Sequence, residues 1–71
     1  MTYTLSAIIE HEGKWYVATC PEFGIASQGK TVEEARKNLH EAVQLYLENA
    51  DPKEISISSD PPLITTFKVA V

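Results

Sequence analysis

The sequence predicts an α+β domain, a small antiparallel sheet with one helix on one face. Three observations predict it. Residues 2–10 and 14–20 have the alternation and the β-branched or aromatic content of paired strands. Residues 31–49 read as a capped amphipathic helix, and a further β-prone run, 63–71, follows it. With a short strand at 25–28 the order is β-β-β-α-β. Three antiparallel strands and a fourth strand parallel to the first give the sheet order 3-2-1-4, with a right-handed connection through the helix.

In the first strand, "TYTLSAIIE" (2–10), Tyr3, Leu5, Ala7 and Ile9 point one way and Thr2, Thr4, Ser6, Ile8 and Glu10 the other. "KWYVATC" (14–20) is the second strand. A two-residue type I′ turn between them would need positive φ at Glu12 as well as at Gly13, which disfavours it. The expectation is therefore a three-residue loop, His11-Glu12-Gly13. That register sets Ile9 opposite Trp15 and Ala7 opposite Val17, under the helix. Ile8 with Tyr16, and Ser6 with Ala18, then fall on the opposite face.

Pro21 cannot donate to a ladder and ends the second strand. "PEFG" reads as a turn and "IASQ" (25–28) as the third strand. Thr31 is the N-cap, with Glu34 three residues on completing a capping box. Val32, Ala35, Leu39, Ala42, Val43 and Tyr46 form the apolar stripe, and Glu33 and Lys37 have the spacing of an ion pair. Pro52 closes the helix, and "DPKEISISSDPP" (51–62) is a polar connection expected to be only partly ordered. In "LITTFKVAV" (63–71), Leu63, Thr65, Phe67, Val69 and Val71 share the more apolar face.

The chain has 71 residues, a formal net charge of −4 and one cysteine, which indicates a single domain, 1–71. So short a chain buries only roughly 60% of its unfolded surface. With no internal disulfide and no zinc-like spacing of Cys20, His11 and His40, oligomerisation or a partner is the remaining route to stability. No run approaches the roughly 20 apolar residues of a membrane helix. "MTYTLSAIIEHEG" has no basic leader, so a cytoplasmic location is expected. An acidic chain with six scattered basic residues argues against direct nucleic-acid binding.

Little in the sequence points to catalysis. Cys20 precedes a proline, not a helix N-terminus that would activate a thiolate. The order of elements is similar to that of ribonuclease H, whose two-metal chemistry needs converging carboxylates. Here the first strand offers only Glu10, and 63–71 offers none. Glu33, Glu34, Glu41 and Glu48 read as capping and solvated helix residues. "SQGKT" lacks phosphate-loop spacing. No cofactor, no metal and no catalytic residue is expected.

The stretch "WYVATCPEFGIASQGKTVEEARKNLHEAVQLYLE" (15–48) resembles the core signature of HicB-like antitoxins. The matching residues are Pro21, Glu22, Phe23 (where Leu is usual), Gly24, Ser27, Gln28, Gly29, Thr31, Glu34, Ala35, Ala42, Tyr46 and Leu47. "FGIA" (23–26) is shorter than the Leu-Pro-Gly-Cys of many members. The resemblance implies a partial ribonuclease-H-like, HicB fold and a non-catalytic antitoxin. Its partner would be a HicA-like toxin, a small basic RNA-cleaving protein. Many members carry a DNA-binding module after this domain. None is read here, so direct operator binding is not expected.

An acidic inhibitor suits a basic partner. The expected contact face, away from the helix, carries Ile8, Tyr16, Ala18 and Lys68, with Thr4 and Ser6 beside them. Leu45, off the helix stripe, is a second candidate. Glu10, Glu12 and Glu22 could pair with toxin Lys or Arg, or could simply be solvated loop charges. A homodimer or higher homo-oligomer through the sheet is also expected. The alternatives are a stand-alone HicB-like regulatory or protein-interaction domain without a toxin, and a hydrolase using Cys20 or a histidine.

Overall fold

A computed structural model describes residues 2–55 and 63–71. Strands β1 (Ile8–Glu12), β2 (Trp15–Cys20) and β3 (Ile25–Gly29) form one antiparallel sheet in the order β1-β2-β3. The helix α1 (Val32–Asn49) packs over β3 and β2 and barely reaches β1. A short 3-10 turn, Pro52–Glu54, follows, with the Asp51 carboxylate accepting from the Lys53 amide at 3.0 Å. The rest of the expected 51–62 connection lies outside the described residues.

The helix begins as its sequence requires. Thr31 Oγ1 accepts from the Glu34 amide at 3.0 Å, and the Thr31 carbonyl takes the Ala35 amide at 2.9 Å. Glu33 pairs with Arg36 one turn on, in place of the expected pairing with Lys37. Asn38 Nδ2 donates to the Gln28 carbonyl at 2.9 Å and ties the helix to β3. Gly29 makes the close approach possible. A Cβ there would lie 2.5 Å from the Ala35 amide nitrogen and 2.8 Å from the Glu34 carbonyl carbon. Only a residue without a side chain lets the first helical turn rest on β3.

The hairpin differs from the expected three-residue loop. Glu12 pairs with Trp15, leaving the two-residue turn Gly13-Lys14. Gly13 has φ +60° and Lys14 does not have positive φ. This is a type II′ turn, which needs glycine only at its first central position and so makes no demand on Glu12. The register follows: Ile9 opposite Ala18, Glu10 opposite Val17, His11 opposite Tyr16. The faces of β2 are therefore exchanged relative to expectation, as a one-residue slip requires. Tyr16, Ala18 and Cys20 face the helix; Trp15, Val17 and Thr19 face away.

The core is small. Ala18, Cys20, Ala35, Leu39 and Val43 are buried, with Leu5, Ile9, Tyr16, Phe23, Ile25 and Leu47 packed around them. Phe23 and Tyr46 meet with ring centroids 5.0 Å apart and close one end. Leu47, outside the expected stripe, joins this set, while Val32 stays largely exposed.

Two strand expectations are corrected. β1 begins at Ile8, not at residue 2. Continuing its register would set Ser6 opposite Pro21, which has no N–H to give. The fourth strand is not present: residues 63–71 make no strand pairing and every one of them is exposed.

Candidate protein-binding site

The sheet surface facing away from the helix is built by alternation. Ile8, Glu10 and Glu12 of β1 stand beside Thr19, Val17 and Trp15 of β2, and Gln28 and Ala26 of β3 continue the rows. Trp15 is 41% exposed, paired across the ladder with the exposed Glu12. Glu10 flanks the half-buried Val17 in the same way. The result is an indole and two carboxylates on a rigid two-strand platform, with Ile8 and Val17 as the apolar floor. Such a surface offers an aromatic anchor with two carboxylates along one side.

On the helix side, Glu22 has a different use from the one expected. Its carboxylate accepts the Ser6 amide at 3.2 and 3.1 Å from its two oxygens, and the Cys20 thiol at 3.5 Å. It holds the N-terminal segment where the β ladder has run out. Burial alone would raise its pKa. Hydrogen bonds from its own amide, from Ser6 and from the Cys20 thiol outweigh that and hold it below the usual carboxylate range. Cys20 is buried, and burial pushes its thiol up, with the Glu22 hydrogen bond and charge adding to the rise against donation from the Phe23 and Glu22 amides. A thiol in that setting is held protonated, the opposite of an activated nucleophile.

Between segment 2–7 and the helix runs a groove of about 690 Å³. Leu5, Leu39, Val43 and Leu47 supply its apolar walls, and Arg36, His40 and Glu48 stand at its rim.

The chain is 39% identical over 68 residues to a UPF0150 protein of Helicobacter pylori (strain J99 / ATCC 700824), an alignment covering 93% of this chain and 94% of that one. The chain belongs to the UPF0150 family. No family model matches it, and no solved structure does.

In this UPF0150 chain the expected contact residues separate. Ile8, Glu10 and Glu12 do share the open face. Tyr16 and Ala18 do not: Ala18 is fully buried under the helix, and Tyr16 packs against the core with its ring stacked on His11 at 4.4 Å. The two-residue turn is the cause. It also moves His11 out of the loop and into β1. Glu22 is engaged internally. Lys68 lies on the exposed 63–71 segment, so it is not on a sheet face. Leu45 is 62% exposed, off the packed stripe. Sequence reasoning missed Trp15 and Val17. The signal for them was Gly13-Lys14, a Gly-X pair between two strand-like runs.

Among the described residues no three His, Cys, Asp or Glu side chains converge as metal ligands would. No described helix is long and apolar enough to cross a membrane.

Proposed function

We propose that this chain is the antitoxin of a type II toxin–antitoxin pair, a non-catalytic protein of the cytoplasm that binds and neutralises a HicA-like RNA-cleaving toxin. UPF0150 is the HicB-like family, which agrees with the signature at 15–48. The observation that carries the reading is the open sheet face. Trp15 stands there opposite Glu12, with Glu10 on the next row opposite Val17, on a chain of net charge −4. An RNA-cleaving partner presents a basic surface to phosphates. An acidic platform with an exposed indole at its hairpin end would cover that surface, the carboxylates steering encounter and the ring anchoring the complex.

The test is co-expression with the small basic protein encoded by the adjoining reading frame, read by co-purification and by rescue of growth. The expected result is a stable complex. Trp15→Ala should weaken it, and Glu10→Lys with Glu12→Lys should slow association on the order of tenfold or more at low salt. No complex, or one that is indifferent to all three substitutions, overturns the reading. It would leave a HicB-like interaction domain without a toxin as the alternative.

A further inference from the structure

We propose that two copies of this chain join β3 to β3 across a two-fold axis at Ser27, so that their sheets become one and their helices lie side by side. Three observations carry this, and none depends on the toxin reading.

The first is where the backbone of β3 points. A two-residue hairpin closes on a pair that exchanges both of its hydrogen bonds, here Glu12 with Trp15. The backbone groups of Trp15, Val17 and Thr19 therefore point to β1. Those of Tyr16, Ala18 and Cys20 point to β3, where their partners are Gly29, Ser27 and Ile25. Ala26 and Gln28 are left to turn their N–H and C=O groups outward, and no described strand meets them. The Gln28 carbonyl agrees with this direction. It takes the Asn38 side chain at 2.9 Å and keeps a second lone pair for another donor.

The second observation is that this edge complements itself. An axis at Ser27 sets Ala26 opposite the second copy's Gln28, so the outward groups of both residues are paired. On the covered face it sets Ile25 opposite Gly29, a large side chain against none. An axis at Ala26 would bring in Gly24, which sits in a turn at φ +66°, and an axis at Gln28 would bring in Lys30, beyond the strand. Charge selects the edge and its occupant. β3 reads IASQG and has no charged residue, whereas β1, the other edge, carries Glu10, His11 and Glu12. On a chain of net charge −4, a second copy meets like charge at β1 and none at β3.

The third observation is the helix flank above that edge. Asn38 marks the side of α1 that overlooks β3, and Ala42 and Leu45 continue it at helical spacing. Leu45 is 62% exposed there. Because α1 rests on β3 and β2, its axis lies within about 5 Å, one strand spacing, of the β3 edge. The two-fold then sets two antiparallel helices on the order of 10 Å apart, a helix-packing distance. Leu45 of each copy enters against Ala42 and Asn38 of the other. The joined sheet leaves both Trp15 faces open, and it adds to a core of five buried residues, which is small for a lone chain.

The full chain should sediment with twice the mass of one copy and dissociate on dilution. Ala26→Pro removes an outward N–H and none from the ladder with β2, so the variant should fold and sediment as a single copy. Leu45→Glu alters a side chain that stands in solvent in the single copy, and should raise the dissociation constant on the order of tenfold or more. Ser27→Cys should form a disulfide between copies on mild oxidation, since a non-hydrogen-bonded pair across the axis lies about 4.5 Å apart at Cα. Trp15→Ala should leave the dimer unchanged. Should Ala26→Pro fail to fold, Leu45→Glu and Ser27→Cys decide the matter. A chain that stays monomeric at every concentration overturns the proposal. So does a dimer that tolerates Leu45→Glu, fails to cross-link through Ser27→Cys, or is lost with Trp15→Ala.

Discussion

The two faces of this sheet are made by the same three strands and differ in where their small side chains lie. The covered face gathers Ala18, Cys20 and Gly29 where the helix rests, with Ile9, Tyr16 and Ile25 packed around them, and the open face presents Trp15, Val17 and Gln28. Counting apolar residues would not separate them, since β2 is apolar on both sides. The placing of the small residues does. A helix docks at close range only where small residues let backbones approach, so it rests on alanine, cysteine and glycine and leaves the indole outside.

That comparison can be broken most forcefully at the helix. Leu39→Ala removes a buried side chain between helix and sheet and should cost about 3 kcal/mol, while Val17→Ala on the open face should cost about 1 kcal/mol or less. Paired urea titrations measure both. Equal losses would mean that the open face is covered in solution.

Next comes Gly29→Ala, whose new methyl meets helix backbone at 2.5 Å and should destabilise by about 2 kcal/mol, against about 0.5 kcal/mol or less for Gln28→Ala one residue away on the other face.

A smaller effect belongs to the Glu22 clamp. Glu22→Gln should cost about 1 kcal/mol. In the native chain Glu22 is ionised more readily than in the unfolded one. Its contribution is therefore complete above the ordinary carboxylate pKa and is lost as pH falls through its lower folded value. Cys20 has the opposite sign. Its pKa is raised on folding, so its contribution is complete below the ordinary thiol pKa and fades as pH rises through the folded value. Stability against pH should thus fall at both ends, and Glu22→Gln should flatten the acid limb. The smallest expected change in stability is that of Trp15→Ala, about 0.5 kcal/mol or less, so any loss of partner binding in that variant reports the surface and not the fold.

Those contrasts also show why the sequence was legible where it was. The helix and its start at Thr31 could be read because cap chemistry and periodicity are local. β2 and β3 could be read from composition and from Pro21. The faces of β2 depended on one turn, where the type II′ option at Gly13-Lys14 competes with a three-residue loop at no cost visible in composition. One residue of slip then moved Tyr16 and Ala18 into the core and brought Trp15 out. The length of β1 depended on that same register meeting Pro21. Glu22 looked like a surface charge because nothing nearby in sequence reveals that its partner is the amide of Ser6, sixteen positions away. The alternation in 63–71 suggested a strand that the structure does not form, because pairing is a long-range property that no local pattern specifies.

Cys20 gives the molecule a built-in gauge. Cys20 lines the groove yet is only 1% exposed, and it is the sole thiol in the chain. A solvent-borne alkylating reagent must therefore wait for the helix to lift from the sheet. The speed of labelling should rise with mild denaturant, which turns an inert core atom into a readout of how often helix and sheet part.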